Sequence, residues 1–218
     1  MEYLEKLDQQ TFESGLDIER YVSELRNYRS FVKGLMEEAK AHPQHVEQLK
    51  SAASRHPQPV RATVNTEDWC GDWACTLPVL HSLFSGAGIP FRVFRGSEHP
   101  AMKERYERDG DDHIPALSLW DGNGNEILRW IEAPARVIKK KDEWEREHPE
   151  FQELYKKQDE DKEARKQFAK LYRELLETMA DWYRTGMWEE TTREIVEKLG
   201  SSTETAGSGT AGSTAGGS

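Results

Sequence analysis

Residues 66–80 read Thr66-Glu67-Asp68-Trp69-Cys70-Gly71-Asp72-Trp73-Ala74-Cys75-Thr76-Leu77-Pro78-Val79-Leu80. The strand-like run Val60-Arg61-Ala62-Thr63-Val64 precedes them, and the spacing from 71 to about 85 is helical, so Cys70 stands where a strand hands over to a helix. A helix N-terminus leaves N–H groups unpaired and carries the positive end of the macrodipole, which stabilises a thiolate and makes the thiol reactive. By spacing alone, a small cysteine packed in a core is an equal reading.

Downstream, Phe91-Arg92-Val93-Phe94 alternates like a strand, Pro100 opens a helix through Tyr106, and Gly110 closes it. Strands at 116–120 and 126–131 flank Asp121-Gly122-Asn123-Gly124, a hairpin turn because Asn and Gly tolerate positive φ. Pro134 starts another helix. Strand, helix, strand, helix, strand, strand, helix predicts a mixed four-stranded sheet flanked by helices, with 60–66 central and parallel to 91–95.

Upstream, Ile18, Tyr21, Val22, Leu25, Tyr28, Val32, Leu35, Met36 and Ala39 fall at helical steps, with Asp17 placed as a cap. A shorter helix from Pro43 carries Val46, Leu49 and Ala53. Residues 136–200 read as helix, with an apolar stripe from Phe168 through Tyr183 and a short last helix after Gly186. These readings divide the chain into a helical segment (1–58), an α/β core (59–147), a helical extension (148–200) and a tail (201–218). The tail's Thr-Ala-Gly-Ser composition suits a flexible or added linker.

Trp69-Cys70-Gly71 after a strand, Pro78 eight residues beyond the cysteine, and His113-Ile114-Pro115 just before the hairpin strands together resemble the thioredoxin superfamily. In detail the chain is similar to bacterial thioredoxin-family proteins with a Thr-Glu-x-Trp-Cys-Gly-Asp motif and helical extensions at both ends. The resemblance implies a thioredoxin-like α/β fold, a cis Ile114–Pro115 peptide against Cys70, and a substrate groove of Trp69, Gly71, Asp72, Trp73, Ile114 and Pro115. It also implies thiol-disulfide exchange with a protein or low-molecular-weight thiol, and no cofactor.

Two positions depart from the family's pattern. The resolving cysteine falls on Trp73, and the buried acid six residues before the first cysteine falls on Val64. Cys75 is a possible second thiol, but five helical residues separate Cα atoms by roughly 8–9 Å and turn the side chains about 140° apart. A disulfide wants about 4.4–6.8 Å, so no bridge is expected. That leaves monothiol exchange through Cys70, with a modestly lowered thiol pKa, or a redox-inactive scaffold that binds a peptide or protein. Glu67, Asp68 and Asp72 oppose the thiolate. Trp69 and Trp73 either rim the thiol or pack the core. His113 either hydrogen-bonds within its loop or reaches Cys70, and His42 and His45 read as loop histidines rather than metal ligands.

The whole composition bounds the rest. With 32% charged residues and a net charge of −10, the chain lacks the basic face that nucleic acid or an anionic membrane rewards. No run approaches the roughly 20 apolar residues of a membrane span. The acidic start is unlike a secretory signal, and two cysteines are too few for a disulfide scaffold, so the expected setting is cytoplasmic.

Overall fold

The computed structural model describes residues 4–207. Helices α1 (Gln9–Ser14), α2 (Ile18–Glu24), α3 (Arg29–Glu38) and α4 (Pro43–Ala53) precede β1 (Arg61–Thr66). Then come α5 (Gly71–Ala87), β2 (Phe91–Arg95), α6 (Pro100–Arg108), β3 (Ala116–Trp120), β4 (Glu126–Ile131) and α7 (Ala135–Glu147). The chain continues through α8 (Glu150–Lys157), α9 (Lys162–Trp182), a π-helical turn (Tyr183–Met187) and α10 (Trp188–Gly207). Of the expected tail, residues 208–218 lie outside the described residues.

The sheet order is β2-β1-β3-β4, with β1 parallel to β2 and antiparallel to β3. This is the predicted mixed sheet with β1 inside it. The β3–β4 hairpin turns on Asp121, whose carboxylate accepts the N–H groups of Asn123 (2.9 Å) and Asn125 (2.8 Å). Leu16 extends the sheet past β2 by exchanging two backbone bonds with Val93 (2.9 and 2.8 Å), which shields that edge.

Alternation along the strands sorts side chains between two faces. Ala62, Val64, Phe91, Val93, Leu117 and Leu119 meet Leu49 of α4, Trp73, Leu77, Leu80 and Phe84 of α5, and Ile195 and Leu199 of α10. On the other face Phe94, Ala116 and Trp120 pack with Phe12 of α1 and Met102 and Tyr106 of α6. A further apolar layer joins Leu35, Cys75, Val79, Val137, Trp144, Phe151, Leu175 and Met179. α5 is therefore covered on both sides, by the sheet and by the C-terminal helices.

The continuous helix expected over 18–39 is two helices. Asp17 caps the first, accepting the Arg20 N–H at 2.8 Å. The chain leaves helical geometry at Leu25, and Tyr28 is left-handed at φ 56°. Tertiary bonds stabilise the break: Arg26 N–H donates to Asp68 (3.1 Å), and the Arg29 guanidinium caps the Leu25 carbonyl (2.7 and 3.0 Å).

Candidate functional site

Cys70 is the N-cap of α5. The turn after β1 closes by a Cys70 N–H bond to the Glu67 carbonyl (3.1 Å), and Cys70's own carbonyl accepts from Ala74 N–H (3.0 Å). Its sulfur accepts the Trp73 N–H (3.4 Å) and donates to the Ile114 carbonyl (3.4 Å). The Ile114–Pro115 peptide is cis. The motif cysteine and the proline loop, 44 residues apart in sequence, thus meet. Cys75 is separate: it is a free thiol with no exposure, in the layer between α5 and the C-terminal helices.

The electrostatics correct the expected lowering of the Cys70 pKa. Burial pushes the thiol up to about 12, and Asp72's charge adds to the rise. The Trp73 N–H, Lys141 and the Thr66 hydroxyl act the other way without overcoming it. The helix terminus is in place, but Cys70 is only 5% exposed, and desolvation outweighs the macrodipole.

The cover comes from α9. Tyr172 Oη accepts the Gly71 N–H (3.0 Å) and donates to the Trp69 carbonyl (3.3 Å), so it occupies the first free donor of α5. A Cβ on Gly71 would lie 2.7 Å from Tyr172 Oη and 2.8 Å from Leu176 Cδ2; only glycine admits α9 this closely. The Tyr28 ring lies 6.1 Å from that of Tyr172.

A half-buried charge cluster adjoins the thiol. Lys141 of α7 donates to Asp72 (2.7 Å) and Glu132 (2.8 Å). Glu132, left-handed at φ 63°, gives its N–H to the Pro115 carbonyl (2.8 Å), and its carboxylate lies 3.3 Å from His113. Burial holds Asp72 above the ordinary carboxyl value, against the pull of Lys141. Burial also acts against the Lys141 ammonium, but Asp72 and Glu132 more than compensate and raise its pKa.

The expected groove residues separate. Trp69 is 59% exposed, whereas Trp73 is 2% exposed and sits edge-on to Tyr21 and Phe91, each centroid 6.2 Å away. Trp73 is core and lines no groove. Gly71 lies under α9, Asp72 faces Lys141, and Ile114 and Pro115 hold the loop against the sulfur. Asp68 is tied to Arg95 (2.8 Å). His113 is an exposed loop histidine, His42 caps α4, and His45 is buried on Thr192 (2.7 Å). Tyr172, Lys141 and Glu132 were not foreseen. Lys141 is the last of three consecutive lysines, and nothing in the run marks the one that turns inward.

The sequence profile of the family described as Thioredoxin matches residues 15–145, more than half of the chain. The chain belongs to the thioredoxin family. A crystal structure of a protein of unknown function from Pseudomonas aeruginosa is similar at 17% identity and TM-score 0.50, covering 85% of this chain and 94% of that one. An HIV epitope scaffold aligns at 21% identity and TM-score 0.47, covering 58% of this chain and 78% of its own. The likeness to the Pseudomonas aeruginosa protein concerns the fold alone. No curated protein matches the sequence. Among the described residues, no helix is long and apolar enough to cross a membrane.

Proposed function

We propose that this thioredoxin-family protein carries out thiol-disulfide exchange through Cys70 alone. The observation that supports this reading is the position of the Cys70 sulfur between the Trp73 N–H and the Ile114 carbonyl of the proline loop, with Cys75 packed elsewhere. The Cys70 thiolate attacks one sulfur of a disulfide. A bond forms from Cys70 to that sulfur, the old S–S bond breaks, and its electron pair leaves on the other sulfur as a thiolate. A second, external thiol then attacks the mixed disulfide and restores Cys70. Position 73 supplies no resolving thiol, so release depends on that co-substrate, a protein or low-molecular-weight thiol in a reducing, cytoplasmic setting. The likeness to bacterial relatives with this motif and helical extensions belongs to the same proposal.

One observation favours a second reading, a redox-inactive peptide-binding scaffold: the thiol is buried under Tyr172 and its pKa is raised. Reaction with neutral 2,2′-dithiodipyridine, followed by intact mass and by thiopyridone release, separates the two. Exchange predicts one adduct on Cys70, lost in Cys70→Ser and kept in Cys75→Ser. The scaffold predicts no adduct on Cys70 in the folded protein.

A further inference from the structure

Beside Trp69, a cleft of about 480 Å³ opens between the end of β1, the turn after β2, α6 and the proline loop. It adjoins the reactive centre through Ile114, which lines it and gives its carbonyl to the Cys70 sulfur. Asn65 and Thr66 line it also, at 3% and 0% exposure. The Asn65 carboxamide oxygen has no hydrogen-bond partner, whereas Thr66, the next residue along the strand, turns its hydroxyl to the other face, toward the Cys70 sulfur. A buried acceptor left unpaired is costly, so the Asn65 oxygen beside the cleft points to a donor that arrives with a ligand.

Gly96 keeps the approach open. A Cβ there would lie 3.1 Å from Asn65 Oδ1 and 3.4 Å from Glu67 Oε1. The rim is acidic: Glu67, Glu107, Asp111 and Asp112 line the cleft against one cation, Lys103. Lys103 is 3.4 Å from Glu107, and Asp111 is paired with Arg129 at 2.9 Å. Glu67 is held by the neutral Ser97, through its N–H (2.6 Å) and hydroxyl (3.0 Å), so its charge faces the cleft uncancelled. Trp69, the most exposed large apolar side chain described, forms one wall.

We propose that this cleft seats an arginine side chain of a peptide, next to the sulfur that Cys70 engages. A guanidinium offers N–H donors to the Asn65 oxygen, a positive charge to Glu67, and a flat face that stacks on the Trp69 indole. Lysine meets the charge but not the plane. The inference rests on the exchange reading only for what the peptide is doing there, since the cleft binds arginine whether or not Cys70 reacts.

The test uses full-length Cys70→Ser protein and two short peptides that differ only in arginine against citrulline, its neutral isostere. Binding is measured by calorimetry, with the Trp69 indole followed by NMR. The arginine peptide binds about tenfold more tightly than the citrulline peptide and shifts the Trp69 signal. Gly96→Ala, which fills the approach, and Glu67→Gln, which removes charge without filling space, each abolish most of that preference. Equal affinity for the two peptides, or a preference that survives both substitutions, overturns the proposal. Selective binding with no adduct from dithiodipyridine on the wild-type protein instead leaves the arginine site standing and removes the exchange reading.

Discussion

Replacing Tyr172 by alanine uncovers Cys70. A thiol ordinarily near 9.0 and here near 12 carries about a thousandfold less thiolate at neutral pH, and burial is the largest cause. That factor is the ceiling on what uncovering can restore. Tyr172→Ala leaves Leu176, Tyr28 and Asp72 in place, so about tenfold faster alkylation is expected, well below the ceiling. Tyr172→Phe keeps the ring and loses only the bonds to Gly71 and Trp69, so it changes the rate little. The assay is iodoacetamide labelling from pH 6 to 10, read by mass spectrometry on the Cys70 and Cys75 peptides. In the wild type the Cys70 rate climbs through pH 9 without levelling; in Tyr172→Ala the whole curve moves to lower pH. Cys75, whose thiol burial holds well above its ordinary pKa, stays inert in all three proteins. Equal rates in wild type and Tyr172→Ala, or equal gains for alanine and phenylalanine, would refute the assignment of α9 as the cover.

Other substitutions test the surrounding structure. Trp73→Cys removes an indole packed between Tyr21 and Phe91 and is expected to cost about 3–5 kcal/mol in urea denaturation. Trp69→Ala on the surface stays within about 0.5 kcal/mol. Lys141→Met strands Asp72 and Glu132 without their shared cation and costs about 3 kcal/mol, part of which Asp72→Asn in the same chain recovers. Glu126 supplies a pH test. Burial pushes its carboxyl up, but bonds from Arg129 and Ser118 and the charge of Arg105 outweigh it, so its pKa lies below the ordinary 4.5. A lowered folded pKa contributes stability above the unfolded value that is lost as pH falls through the folded one. Glu126→Gln therefore costs about 1–3 kcal/mol at pH 7, and the gap to wild type closes below pH 4.5.

The strand order and the meeting of Cys70 with the proline loop were legible because each leaves a local mark: alternation at 91–94, a turn at 121–124, a cysteine at a strand-to-helix junction. The break at Leu25–Tyr28 left none. Leu25 and Val32 are both buried, so apolar spacing runs straight through a kink whose causes, Asp68 and Arg29, are bonds rather than periodicity. The state of the thiol was illegible for a similar reason. A helix terminus can be read from ten residues, whereas desolvation depends on Tyr172, 102 positions away. Trp73 carried equal arguments for rim and core, and the approach of Tyr21 from α2 and Phe91 from β2 decides for the core.

The place of α10 bears on how this molecule is born. Ile195, Val196 and Leu199 complete the same apolar cluster as Leu49, Ala62 and Leu117, and Trp130 donates to Glu194 (3.1 Å). A chain leaving the ribosome in order exposes the sheet's inner face long before α10 emerges. Until then the hairpin and α5 stay open on that side, with their apolar side chains accessible to chaperones and to other nascent chains. The half-made chain is therefore the vulnerable species, and it is protected only when Ile195, Val196 and Leu199 clear the exit tunnel.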